Sequence, residues 1–169
     1  MIKEIYEGKV WKFGNNVSTD SIAAGRLLHL RTKPEEYAKH LFEDLRPDFA
    51  PNVAKDDFIV AGMNFGCGSS REIAPLIIKI SGVSAILAVS FGRIFYRNAI
   101  NNGMLLIQCD TENLLEGEVI EVDTKRREVT KKKDPNFKMG FQLGEVEKKI
   151  LEQDGLLNYI QKYNTLDQF

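Results

Sequence analysis

The segment 62–72 reads Gly-Met-Asn-Phe-Gly-Cys-Gly-Ser-Ser-Arg-Glu. It sets two hydroxyls, a guanidinium and a carboxylate directly behind three glycines, between a short apolar run and a stretch that reads as a helix. At a strand-to-helix junction the first backbone N–H groups have no intrahelical partner and attract anions. The glycines let a ligand approach the backbone closely, and Arg71 can grip a carboxylate through two parallel hydrogen bonds. The chemistry indicated is a carboxylate- or phosphate-binding pocket with a serine able to act as base. The same residues also make a purely structural unit: a glycine turn, a serine cap, and an Arg71–Glu72 pair on a helix surface. Local chemistry alone fits both.

The elements around this segment explain how it would be positioned. Residues 57–62 (DFIVAG), 85–89 and 104–108 are apolar runs of strand length. Between them, helices are predicted from Ser69 or Ser70, as cap, to Ser81, and from Ile94 to Asn101. Gly82 and Gly103 stand where a left-handed residue is wanted. Pro75 is awkward inside the first helix unless it falls in its first turn. Strand-helix-strand-helix-strand order implies parallel strands with right-handed crossovers. Upstream, residues 9–13 read as a first strand ended by the turn Gly14-Asn15-Asn16, and Ser18-Thr19-Asp20 as a loop. No firm period emerges over 25–33. A helix is predicted over 34–45, with Thr32 as cap, Pro34 in the first turn and Pro47 as stop. Downstream, 118–122 and 127–130 alternate as a hairpin, and 144–163 reads as a surface helix interrupted near Gly155. One domain over 1–169 is expected, a length sufficient to bury a core.

Composition bounds the function. The 23 basic and 24 acidic residues leave a net charge of -1, so no electrostatic footprint for nucleic acid or a membrane surface is expected. The basic run 131–133 reads as solvated surface, His29 and His40 as surface or loop residues, and Trp11 and the phenylalanines as core. No apolar run approaches the roughly 20 residues of a membrane span, and the charged N-terminus is not that of a signal peptide. The two cysteines, Cys67 and Cys109, form no CxxC pair and no disulfide scaffold, which makes a reducing, cytoplasmic setting the expectation. They are also too few to hold a four-iron cluster, which normally needs at least three thiolates.

Segment 62–72 closely resembles the signature of the swivelling domain of the aconitase/isopropylmalate isomerase family. Ser18-Thr19-Asp20-Ser21-Ile22 is similar to that family's threonine-aspartate motif, and residues 90–103 (SFGRIFYRNAINNG) to its second signature. All three stand in the family's order. The resemblance implies an α/β fold: a swivelling β/β/α domain, a mixed sheet with a parallel βαβαβ core flanked by helices. The length implies a free-standing small subunit, active only with a large subunit, as heterodimer or heterotetramer. The family's members move water across a carbon-carbon bond of a hydroxy di- or tricarboxylic acid, with a [4Fe-4S] cluster as Lewis acid. The resemblance puts that cluster on the large subunit and no metal on this chain; Cys67 is not a ligand. It makes Ser69 the base that takes the carbon-bound proton, its oxyanion needing stabilisation by the glycine loop and helix end. Asp20 becomes an active-site carboxylate that orients other groups, against the alternative of a turn cap. Gly68, Ser70 and Arg71 are expected to bind substrate. For Arg93 and Arg97 a structural part, pairing with acids or tying loops, is expected.

The stretch 23–33 departs from the family, with Ala23-Ala24-Gly25 where many members carry a proline. In the family this region sets specificity: apolar side chains meet a branched tail in isopropylmalate enzymes, and an arginine meets an extra carboxylate in homoaconitases. Here Leu28 and Arg31 offer both. Arg31 exposed beside Glu35 is the alternative. The expected reaction is interconversion of 2- and 3-isopropylmalate by dehydration and rehydration, in leucine biosynthesis. Homoaconitate or a methyl-substituted malate (2,3-dimethylmalate, citramalate) ranks next. A non-catalytic anion- or RNA-binding module is the reading from another class.

Overall fold

A computed structural model describes residues 2–163 of the chain; Met1 and residues 164–169, included in the single-domain expectation, lie outside them. Seven strands form one mixed sheet: β1 (Ile5–Lys12), β2 (Phe58–Ala61), β3 (Ala85–Ala88), β4 (Leu105–Gln108), β5 (Val119–Asp123), β6 (Glu128–Lys131) and β7 (Asp134–Gly140). Their spatial order is β4-β3-β2-β1-β5-β6-β7. The pairs β1–β2, β2–β3 and β3–β4 are parallel, and β1–β5, β5–β6 and β6–β7 antiparallel. Seven α-helices stand among the described residues: α1 (Thr19–Ile22), α2 (Pro34–Ala38), α3 (Phe49–Asn52), α4 (Ile73–Ile80), α5 (Arg93–Asn101), α6 (Glu145–Glu152) and α7 (Leu156–Tyr163). The predicted parallel βαβαβ unit is β2-α4-β3-α5-β4. Gly82, Gly103 and Gly155 close α4, separate α5 from β4, and break the last helical stretch in two, each at positive φ.

Every residue of β2 and β3 is buried, as expected of parallel strands covered on both faces. Strand alternation divides the core in two. Ile59, Ala61, Ile86, Ala88 and Leu106 face α4 and α5; Phe58, Val60, Leu87 and Ile107 face the other way, joined there by Ile120, Val122 and Val129 of the antiparallel half. β1 begins earlier than residue 9, because Ile5–Lys9 pairs with β5 while Val10–Lys12 pairs with β2. No helix among the described residues is long and apolar enough to cross a membrane.

One predicted element is corrected and two others were not anticipated. The helix over 34–45 stops at Ala38, with Lys33 and not Thr32 at its N-cap. Phe42 turns to φ 55 and its N–H goes to Ile22 O. Its ring thereby stacks among Phe13 (4.5 Å) and Phe49 (5.0 Å), while Trp11 meets Phe49 edge-on at 5.1 Å. Burying that aromatic group outweighs continuing a polar helix. Helix α3, unanticipated, exists to carry Phe49 into the same cluster. Strand β7 was also not anticipated; Asp134 and Pro135 are exposed, and pairing with β6 defines it. The basic run 131–133 opens its turn, with Lys131 bound to Glu118 at 3.0 Å and Lys132 to Glu7 at 2.5 Å.

Candidate active site

The glycine loop leaves β2 and is laced on both sides by backbone hydrogen bonds. Asn64 N–H donates to Ser90 Oγ (2.8 Å) and Asn64 Nδ2 to Asn16 Oδ1 (2.9 Å). Phe65 N–H donates to Ser90 O (3.0 Å), Gly92 N–H to Phe65 O (2.8 Å), Gly66 N–H to Val17 O (2.7 Å) and Thr19 N–H to Cys67 O (2.8 Å). The loops after β1, β2 and β3 thus join at the carboxyl ends of the parallel strands, where open α/β sheets bind ligands. Gly66, at φ +77, lies flat on the Phe95 ring, where a Cβ would overlap that ring. The next glycine, Gly68, has φ +100 and is exposed, and a Cβ there would touch Thr19 Oγ1 at 3.5 Å.

Ser69 is pinned by its backbone and free at its side chain. Its carbonyl accepts from Thr19 Oγ1 (2.9 Å) and from Arg71 N–H (2.9 Å), while the residue itself and Ser70 are exposed. Thr19 is buried at 2 % exposure, a positioning role that the sequence reading did not single out, although Thr19 stands inside the threonine-aspartate motif. Neither serine caps α4: Glu72 holds that position without a side-chain bond. Pro75 supplies the reason. With Ile73 as first helical residue it falls in the first turn, where no N–H is required; an earlier start would place it where its ring blocks a helical bond.

Residues 18–20, expected in a loop, begin a single helical turn, α1. Ser18 Oγ caps it by accepting Ser21 N–H at 3.0 Å. The turn aims Asp20 at Arg71: Nη1 lies 2.6 Å from Oδ1. Asp20 Oδ1 also accepts Gly25 N–H at 3.0 Å, and Arg71 Nη1 donates to Ala23 O. Arg71 is therefore no surface partner of Glu72. Its side chain is only 19 % exposed, a guanidinium held in one orientation behind Ser69 and Ser70. Beneath it Tyr37, fully buried, donates to Ala24 O at 2.8 Å; burial pushes its phenol above the usual range, with Arg71 opposing.

Residues Gly25–Thr32 form a 3-10 helix, which explains why no period of 2 or 3.6 was visible there. Residues three apart eclipse in such a helix. Leu27 and Leu30 accordingly turn to the core, and Leu28 and Arg31 to a groove of about 650 Å³ that also takes in Ser70, Arg71, Asn98, Asn101 and Leu157. Arg31 makes no ion pair with Glu35 among the described residues. The groove unites Leu28 and Arg31 with Ser70 and Arg71; Gly68, Ser69 and Asp20 border the same loop without lining it. Arg93 and Arg97 do not pair with acids, contrary to expectation: both are exposed on α5 with no carboxylate partner among the described residues. His29 is exposed and His40 pairs with Glu43.

The side chains present do not fit an iron-sulfur cluster. Among the described residues no group of three or more His, Cys, Asp or Glu is placed to hold a metal. Cys67 lies in the glycine loop, whereas Cys109 packs against the second core beyond β4. Burial, then Asp110, pushes the Cys109 thiol up to about 12, with Lys12 opposing. Cys109 should therefore resist iodoacetamide at pH 8 in the native protein and react once unfolded, as peptide mass spectrometry would read; equal rates in both states would contradict its burial. Because the unfolded thiol ionises near 9 and the folded one does not, this group lowers stability as pH rises from about 9 towards 12.

The chain belongs to the aconitase C-terminal domain family, whose model matches residues 7–112, the span that holds all three motifs and strands β2 to β4. Its relatives are more particular. It is 48% identical over 160 residues to 3-isopropylmalate dehydratase small subunit 2 of Archaeoglobus fulgidus, covering 94% of this chain and 96% of that one. It is 47% identical over 163 residues to the isopropylmalate/citramalate isomerase small subunit of Methanocaldococcus jannaschii, covering 95% and 96%. The crystal structure of 3-isopropylmalate dehydratase from the same archaeon superposes with a TM-score of 0.90 at 40% identity, covering 95% of each chain.

Proposed function

We propose that this chain, one domain over residues 1–169, is the small subunit of a two-subunit hydro-lyase that interconverts 2-isopropylmalate and 3-isopropylmalate. The observation that carries this reading is the exposed Ser69 hydroxyl on a backbone locked by Thr19, two residues before an arginine oriented by Asp20. Ser69 takes the carbon-bound proton during dehydration and returns it on rehydration. Arg71 binds a substrate carboxylate, Asp20 keeps its guanidinium in place, and Ser70 and the open backbone at Gly68 bind beside it. Among the described residues no donor set assembles cluster ligands, and the [4Fe-4S] cluster is assigned to the large subunit, in a heterodimer or heterotetramer in the cytoplasm.

Arg31 on the groove favours a second reading within the same chemistry. Leu28 suits an isopropyl or methyl branch, whereas Arg31 suits a further carboxylate, as in homoaconitate. One anaerobic assay separates these readings: this chain with its cluster-bearing large subunit on 3-isopropylmalate, citramalate, 2,3-dimethylmalate, homoaconitate and citrate. Activity only in the mixture, highest on 3-isopropylmalate, is expected. No turnover of any member with an intact cluster would leave an anion-binding module. Arg31→Ala should change the preference across the panel by about tenfold for substrates with an extra carboxylate, the scale of one charged hydrogen bond; an unaltered profile would place Arg31 outside the substrate's reach.

A further inference from the structure

We infer that the outer face of α5, carrying Arg93, Ile94, Arg97 and Asn101, is where the cluster-bearing large subunit docks, through carboxylates set opposite the two arginines; this rests on the two-subunit reading above. The chain has eight arginines. Five are paired with carboxylates: Arg26 with Glu43, Arg46 with Glu116, Arg71 with Asp20, Arg126 with Asp123 and Arg127 with Glu145. The other three, Arg31, Arg93 and Arg97, have no such partner among the described residues; Arg93 and Arg97 stand on α5, whose Phe95 packs against Gly66 of the glycine loop. Arg31 lines the groove. Arg93 and Arg97 do not; from α5 it is Asn98 and Asn101 that line it.

Helical geometry gathers the face. At about 100° per residue, Arg93, Ile94, Arg97 and Asn101 fall within one arc, opposite the buried Phe95 and Ala99. Ile94 is 51 % exposed at the edge of that arc, beside the arginines. An apolar residue next to arginines matches the composition of interface centres, which are enriched in arginine and apolar side chains. The face is continuous with the catalytic loop. Gly92 is so close to Gly66 O that a Cβ there would lie 2.7 Å from it, Phe95 packs under Gly66, and Asn98 and Asn101 share the groove with Ser70 and Arg71. The reaction needs groups that this chain does not hold, so the large subunit must close over the exposed Ser69. Carboxylates on the large subunit would match the unpaired arginines, guiding association and fixing orientation.

The test is direct binding of the large subunit, purified anaerobically with its cluster, to the immobilised chain, with Kd measured across salt. Arg93→Glu/Arg97→Glu should raise Kd by about tenfold or more and flatten its salt dependence. Arg93→Gln/Arg97→Gln should give an intermediate loss. Lys133→Glu/Lys138→Glu, on the β6–β7 side, should bind like the wild type. An unchanged melting temperature shows that the variants are folded. Wild-type Kd in both arginine variants, with or without a raised KM, would overturn the docking face. Weakened binding of the arginine variants stands whether or not the wild-type pair turns substrate over, whereas absent turnover on every substrate removes only the hydro-lyase reading.

Discussion

Ser69→Ala should lower turnover by about 10³-fold while leaving affinity for the large subunit unchanged. A positioned acid-base group contributes typically 10² to 10⁴ in rate, and Ser69 has only its Oγ to lose. The backbone stays in place because what holds it is its carbonyl, gripped by Thr19 Oγ1 and Arg71 N–H, and alanine keeps both bonds. The side chain is exposed, so its removal opens no cavity. Substrate binding through Arg71 and Ser70 should persist, which places the loss in kcat and not in KM. Steady-state kinetics of the reconstituted pair reads this directly. A KM rise with normal kcat would make Ser69 a binding residue, and full activity would dismiss it as the base.

Gly66→Ala should unfold about 4–20 °C lower and damage the site. Two costs add there. A non-glycine residue at φ +77 pays roughly 1–2 kcal/mol for its backbone conformation. The new Cβ also overlaps the ring of Phe95, which is 2 % exposed and has nowhere to retreat, an overpacking cost of about 1–3 kcal/mol. For a domain of this size each kcal/mol corresponds to about 2–4 °C. Displacing Gly66 also strains its bond to Val17 O, on the loop that leads into Thr19 and so to Ser69. Adding Phe95→Leu should recover the steric part and leave the conformational part, as a double-mutant cycle would separate. A single Gly66→Ala variant that melts within about 1 °C of the wild type would show that this packing is absent.

Some of this was legible residue by residue. The apolar runs 57–62, 85–89 and 104–108 are short, bounded by turn residues and separated by helical stretches, so a parallel βαβαβ unit follows from local pattern. Gly155 announces the break between α6 and α7. Pro75 even contains the start of α4, since proline is harmless only in a first turn; the serines ahead of it made a cap at 69 or 70 attractive, and the proline overruled it. The end of α2 was not legible. It depends on Phe42 meeting Phe13 and Phe49, contacts between residues remote in the chain. The 3-10 segment escaped because its period of three matches neither pattern sought, although Leu27–Leu30 and Leu28–Arg31 display it once the geometry is known.

The sequence by itself determined the family, the order of the parallel unit and the residue types at the candidate site, because those reside in contiguous motifs and local periodicity. Only the tertiary structure decided their partners. That Arg71 faces Asp20 and not its neighbour Glu72, that Thr19 holds the Ser69 carbonyl, that Arg31 shares a groove with Ser70, and that Arg93 and Arg97 stand unpaired beside the loop are facts about residues some 20 to 50 positions apart. Such pairings depend on how the strands stack and where the intervening chain turns back, and those turns are set by core burial, which no local window of the sequence contains.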